Sequence, residues 1–433
     1  MENNNPIDSV PTVAFGNLGC RLNIAEAGAL ASGFTQRGYQ IVPFGQRADV
    51  LFINTCTVTD RADSSCRNLI RKAHNSSPTG KVIVAGCYAQ MEPEAISRMQ
   101  GVDLVLGNSE KFNVFEYLDG DEAAQIRVDQ TDHFWGAATT TADQHTRAFL
   151  KIQDGCNYNC SYCIIPAARG NSRAITIGEA VTQAEKLTSN GFKEIVLTGV
   201  NIGEYQRTAG ERLVDLVAGV LATPNLTRLR LSSVEPNTLT AELLAILAGA
   251  TNLMPHIHLP LQSGDDQILS EMRRKYTRSE YVATVNRLCR AIPGVALGAD
   301  VMVGFPGESE EQFMNTYSLV DQLPITHLHI FPFSRRKGTA ANAMTNQVPD
   351  HVKKDRVAQM TKLAQKKLQA LLNCQLGTVA AVLFEQRDRD GNYTGYTPHF
   401  TKVRVKTELE LKNEIYPVLL EQIDGEQLIG RLL

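Results

Sequence analysis

The chain has 433 residues, of which 43% are hydrophobic and 21% charged, with a formal net charge of −3. That balance suits a globular protein of two or three domains and excludes recruitment to nucleic acid by bulk positive charge. No apolar run reaches the ~18 residues that span a bilayer, and MENNNPIDSVP lacks the features of a signal peptide, so the chain is expected in the cytoplasm, away from membranes.

In chain order, short apolar runs alternate with helical patterns. Residues 12–17 (TVAFGN), 48–54 (ADVLFIN), 81–86 (KVIVAG) and 102–107 (VDLVLG) read as buried parallel strands, with helices over 24–37, 58–76 and 93–100. This predicts an α/β domain over 10–118, an open parallel sheet with helices on both faces. Residues 119–146 are polar and aperiodic, with TTTADQHT near their end, and read as a linker around the lone Trp135. A second series follows, with strands at 148–153, 194–199, 227–232, 256–261, 297–304 and 328–333 and helices between them. Six such units predict a partial (β/α)6 barrel over 147–371, with its chemistry at the C-terminal strand ends. After a last helix from Asp350, residues 372–433 turn to short strands, and Asp390-Gly391 marks a hairpin turn. They predict a small closed β-barrel.

The cysteines carry the chemistry, and nine of them without an export signal predict reduced thiols used for metal. Cys156, Cys160 and Cys163 stand within eight residues in GCNYNCSYC, on the loop after the first strand of the second series. A closed zinc site or an ordinary ferredoxin cluster takes four protein ligands. Three ligands therefore point to a 4Fe–4S cluster with one iron open to a small molecule, the alternative being a distorted zinc knuckle.

Cys20, Cys56 and Cys87 are 36 and 31 residues apart and match no linear motif, yet each closely follows a strand. In an open parallel sheet these strand ends converge on one edge. The three thiols are expected to meet there as a second metal site, against the plainer reading that they fill buried strand ends. Cys66, Cys289 and Cys374 lie in or beside helical sequence and read as structural thiols.

With both triads in hand, the chain resembles the radical S-adenosylmethionine (SAM) methylthiotransferases along nearly its whole length. The matching stretches are NLGCRLN, INTCTVT and VAGCYAQ, then GCNYNCSYCIIP, LTGVNIGEY, RLSSVEP, HLPLQSG, DVMVGFPGE and HIFPFSRRKGT. LGTVAAVLFE and GNYTGYTPHFTKVRV resemble the RNA-binding TRAM domain of that family. TGVNIG with SSVEP looks most like members acting on threonylcarbamoyladenosine beside the tRNA anticodon. Members acting on isopentenyl-adenosine or on a ribosomal-protein aspartate are the alternatives, as is a non-catalytic RNA-binding iron–sulfur protein. Asn201, where histidine is common, and NSRA after the cysteine loop depart from the family pattern.

The resemblance implies two [4Fe–4S] clusters, on Cys156, Cys160 and Cys163 and on Cys20, Cys56 and Cys87, six cysteines that are both metal ligands and the catalytic set. It implies reductive cleavage of SAM, removal of hydrogen from carbon 2 of the adenine, and two SAM per methylthio group. Tyr162, Ile164, Arg173, Thr198, Gly199, Ser232, Ser233, Glu235 and Gln262 are expected around SAM. Arg273, Lys275, Arg335, Arg336, Tyr396, Phe400 and Lys402 are expected at the substrate. The expected partners are the tRNA anticodon stem-loop and an electron donor such as flavodoxin or ferredoxin, with the chain acting as a monomer.

Overall fold

A computed structural model describes residues 10–118, 125–129, 131–139, 146–206 and 210–433. Residues 1–9 and most of TTTADQHT lie outside these.

The first sheet has six parallel strands in the order Gln40–Val42, Thr12–Asn17, Val50–Thr55, Lys81–Gly86, Leu104–Leu106 and Gln125–Arg127. Buried in the middle of the sheet, Val50–Thr55 is a continuous apolar run rather than an alternating one, as a strand covered on both faces requires. The order reverses between Thr12–Asn17 and Val50–Thr55, so the switch point lies between the strands that lead to Cys20 and Cys56. Cys20 is the N-cap of helix Arg21–Gln36. Beyond Cys56, Thr59 caps helix Asp60–Ser76 by accepting from the Ala62 amide at 3.1 Å.

The two outer strands, each of three residues, are additions to the four expected. Gln125–Arg127 and the two-residue strand Ala137–Ala138 also correct the reading of 119–146 as a plain linker: the first extends this sheet and the second pairs with Arg147–Lys151. Trp135 stacks on Phe112 at 5.4 Å and anchors that stretch to the first domain.

The second unit is a partial barrel of six parallel strands in two arcs. Arg147–Lys151, Glu194–Thr198 and Arg228–Leu231 form one; His256–His258, Ala296–Val303 and Ile325–Pro332 form the other. A bridge between Leu229 and Leu253 joins them. Capping boxes start its helices where Thr176 faces Glu179, Thr277 faces Glu280 and Ser309 faces Gln312.

Helix Asp350–Gln375 buries Met360 and Leu363 in the partial barrel and Leu372 in the C-terminal one, so it pins the two together. The C-terminal unit is a closed five-stranded barrel. Gly391 takes a φ of 83° at its first hairpin, where Asp388 accepts from the amides of Asp390 and Asn392. No helix among the described residues is long and apolar enough to cross a membrane.

Candidate active site

The loop carrying Cys156, Cys160 and Cys163 is fixed by backbone bonds at both ends. The Cys156 amide donates to Gly170 O at 3.1 Å, and Ser161 is held by Met272 O and Glu271 O. Gly155, at a φ of 69°, has Asn171 O where a Cβ would sit, 2.0 Å away, so only glycine fits the turn before the first cysteine. Burial pushes the Cys163 thiol up to about 11 and raises Cys156 as well. Metal binding must therefore displace protons from these thiols.

The three cysteines line a cavity of about 520 Å³, within the size range of small-molecule sites. Tyr162, Ile164, Ser233, Glu235 and Gln262 line it with them, as does Asn201. Both polar atoms of the Asn201 side chain and the Gln262 Oε1 are buried without a partner, and the Ser232 Oγ is likewise unsatisfied. A polar small molecule in the cavity would satisfy the groups of Asn201 and Gln262 that line it.

Arg274 was not singled out from the sequence, where it sits between two other basic residues. It donates to Cys160 Sγ at 3.3 Å and forms a close ion pair with Glu235. Asp300, also in the wall, faces His258 and His329 at 3.3 and 3.2 Å. Burial raises its carboxyl, but hydrogen bonds from the two histidines outweigh that and hold it below the usual range.

Several expected residues stand elsewhere. Arg173 is drawn from the SAM site by Asp154, to which it donates at 3.0 Å, and by Arg169 O at 2.7 Å. Thr198 and Gly199 lie behind the wall that Val200 and Asn201 form; the Gln153 Oε1 behind Gly199 accepts the Asn201 amide at 2.9 Å.

Arg336, expected at the substrate, is held by the first domain. It is buried, donating to Thr57 O at 3.2 Å and Asp63 at 2.7 Å and pairing closely with Asp60. Tyr396 and Phe400 stack on each other at 4.8 Å, with Arg147 over both rings and Arg230 over Phe400. That packing sets both half-buried rings against the partial barrel. Arg335 is exposed but holds Asn342 through two bonds of 3.1 Å. Arg273, Lys275 and Lys402 are exposed, with Lys275 over the Tyr158 ring at 3.9 Å.

The other cysteines converge at the switch-point edge of the first sheet. A Cβ on Gly19, whose φ is 118°, would stand 2.9 Å from Cys56 Cβ and 2.7 Å from Asn23 Nδ2, so glycine lets the Cys20 turn approach Cys56. The Cys20 thiol donates to Asn23 Oδ1 at 4.0 Å. Cys87 accepts from Asn108 Nδ2 at 3.5 Å. Burial, together with neighbouring Cys87 and Cys20, lifts Cys56 to about 12. Cys66 supports the Cys56 loop, donating to Cys56 O at 3.3 Å and accepting from the Cys56 amide at 3.4 Å.

A partial barrel whose first loop presents three cysteines into a cavity defines a radical SAM enzyme. The family model described as the radical SAM superfamily matches residues 150–320, and that of the uncharacterized protein family UPF0004 matches residues 12–107. The chain is 37% identical to the threonylcarbamoyladenosine tRNA methylthiotransferase MtaB of Bacillus subtilis, over 94% of this chain and 93% of that one. It is 38% identical to the protein of the same name from Aquifex aeolicus, over 88% and 95%. To a tRNA-2-methylthio-N(6)-dimethylallyladenosine synthase of Rickettsia canadensis it is 30% identical, over 96% and 97%. Among solved structures, the radical SAM methyltransferase TsrM of Kitasatospora setae shares the fold, with a TM-score of 0.57 and 15% identity over 77% of each chain.

The chain belongs to the radical SAM methylthiotransferase family, on its MtaB-like side. A [4Fe–4S] cluster and SAM are the cofactors of this class. The residues fit them, with three thiols on one loop and unsatisfied side-chain amide groups of Asn201 and Gln262 around the space beside it.

Proposed function

We propose that this chain places a methylthio group on carbon 2 of threonylcarbamoyladenosine beside the tRNA anticodon, consuming two SAM per product. One arrangement carries the reading: three cysteines on one loop open into the cavity, and three more gather at the strand ends of the first sheet. The names of the Bacillus subtilis and Aquifex aeolicus relatives support the choice of nucleoside. When bound, the first cluster and SAM supply one-electron cleavage of the sulfonium and removal of hydrogen from the substrate.

In this reading Cys156, Cys160 and Cys163 hold that cluster, and Cys20, Cys56 and Cys87 hold a second one that carries the sulfur. Tyr162 and Ile164 pack against SAM, while Asn201, Ser233, Glu235 and Gln262 offer it polar contacts. Arg274 fixes Cys160 and Glu235 in place. Arg273, Lys275 and Lys402 are left to meet RNA phosphates. The working units are 10–118, 147–371 and 372–433, acting as a monomer in the cytoplasm with flavodoxin or ferredoxin as electron donor.

The test is nucleoside mass spectrometry of tRNA from cells with and without the gene. Deletion is expected to remove 2-methylthio-threonylcarbamoyladenosine and to leave its unthiolated parent. Loss of the methylthio group from dimethylallyladenosine instead, or from no nucleoside, overturns the assignment.

A further inference from the structure

A wall of buried charge separates the two cysteine sites. Glu26, on helix Arg21–Gln36, pairs with Lys111 at 2.6 Å, Lys151 at 2.8 Å and Arg169 at 3.0 Å. Asp154, two residues before Cys156, pairs with Lys151 at 2.7 Å, Arg169 at 2.9 Å and Arg173 at 3.0 Å. Every side chain in the set is at most 3% exposed except Arg173, at 10%. Among the described residues, four cations thus face two carboxylates, an excess of two positive charges.

Removing an ion from water costs several kcal/mol, and an excess of one sign has no internal partner to offset it. Negative charge must come from beside the wall. Two asparagines lead from it to the second cysteine site. Asn23 Oδ1 accepts from Arg169 Nη2 at 2.8 Å and from the Cys20 thiol at 4.0 Å. Asn108 Oδ1 accepts from Lys111 Nζ at 3.1 Å, while its Nδ2 donates to Cys87 Sγ at 3.5 Å and Ala168 O at 2.8 Å. Three thiolates outweigh the 2+ charge of an oxidised [4Fe–4S] core by one negative charge, and reduction adds another.

We propose that this ion network sets the reduction potential of the second cluster, its surplus positive charge compensating the negative charge that cluster acquires. Lys111, Glu26 and Arg169 are positioning residues, acting through Asn23 and Asn108. The inference rests on the reading that Cys20, Cys56 and Cys87 hold a [4Fe–4S] cluster. The step is the gain of one electron from a low-potential reductant such as dithionite, taking the core from 2+ to 1+ with no bond broken and no proton moved.

The experiment uses the full chain with Cys156, Cys160 and Cys163 replaced by alanine, reconstituted with iron and sulfide, assayed for iron and titrated by EPR against potential. Glu26→Gln removes a negative charge and is expected to raise the potential. Lys111→Met removes a positive charge and is expected to lower it, each by about tenfold in the reduction equilibrium, ~59 mV for one electron. Arg173→Gln, at the less buried rim, is expected to lower it by less and serves if Lys111→Met does not fold. Opposite signs in folded variants that keep their iron support the network, because a purely structural staple would not split them by charge. Shifts of one sign, or none, with iron retained overturn the proposal alone. An iron-free parent overturns the second-cluster reading and the proposal with it.

Discussion

Gly19 shows how one missing atom shapes a site. Its φ of 118° lies in the region that costs an L-residue about 1–2 kcal/mol, and its Cα faces Cys56 and Asn23 at distances that leave no room for a methyl group. On the proposed two-cluster reading, Gly19→Ala is expected to spread Cys20 from Cys56 and to lower iron from about eight to about four per chain after reconstitution. The circular dichroism spectrum should be retained. Iron and sulfide assays check it, and a full complement in the variant would show that the turn does not gather the thiols. The cysteines themselves were legible from the sequence, because ligand spacing on a loop and thiols at strand ends are local signals. The partners of Arg173 and Arg336 are not legible in the sequence, for the opposite reason. A basic residue near a strand end looks like an anion contact until its partner is known, and the Asp63 carboxylate that holds Arg336 lies 273 residues away in sequence.

Among elements, the junction of the C-terminal barrel with the partial barrel separates packing from recognition. Phe400 lies between Arg147, Arg230 and His256, at ring distances of about 5 Å. Lys402, two residues on, is exposed. Phe400→Ala is expected to cost about 2 kcal/mol of stability, through lost packing and cation–π contact, and to leave tRNA affinity within about twofold. Lys402→Ala is expected to leave the melting temperature alone, to weaken tRNA binding, and to lower the salt slope of binding by about one. Thermal melts and binding across a salt series read both, and the reverse pattern would make Phe400 the RNA contact. The strands at the centre of the first sheet were readable from their apolar runs. Gln40–Val42 and Gln125–Arg127 were not, because three-residue edge strands carry too few side chains to show a period.

At the scale of the whole molecule, the same junction makes stability depend on pH. His256 and His327 meet edge to face at 5.3 Å beneath Phe400. Burial, reinforced by nearby positive charge, holds both neutral, with His327 lowered from 6.5 to about 4 and His256 well below its ordinary value. An unfolded chain takes up these protons near 6.5 and the folded one does not, so the unfolded state binds more protons as pH falls from about 6.5 toward 4. Stability is therefore complete above that window and declines through it. Melting temperatures at pH 7.5, 6.5 and 5.5 are expected to fall in that order, and His327→Gln is expected to flatten the trend. Equal melting temperatures across the series would mean that the two rings are protonated without cost.

Arg336, reaching from the loop after the sixth barrel strand to Thr57 O, Asp60 and Asp63 beside Cys56, makes the front and back of the enzyme hard to exchange. A chimera that borrowed its first hundred residues from a homologue with another base preference would inherit one half of this clasp and one half of the Glu26–Arg169 pair. Grafts between such enzymes would have to carry the matching acids and arginines together, because each half left alone is a buried charge without its partner.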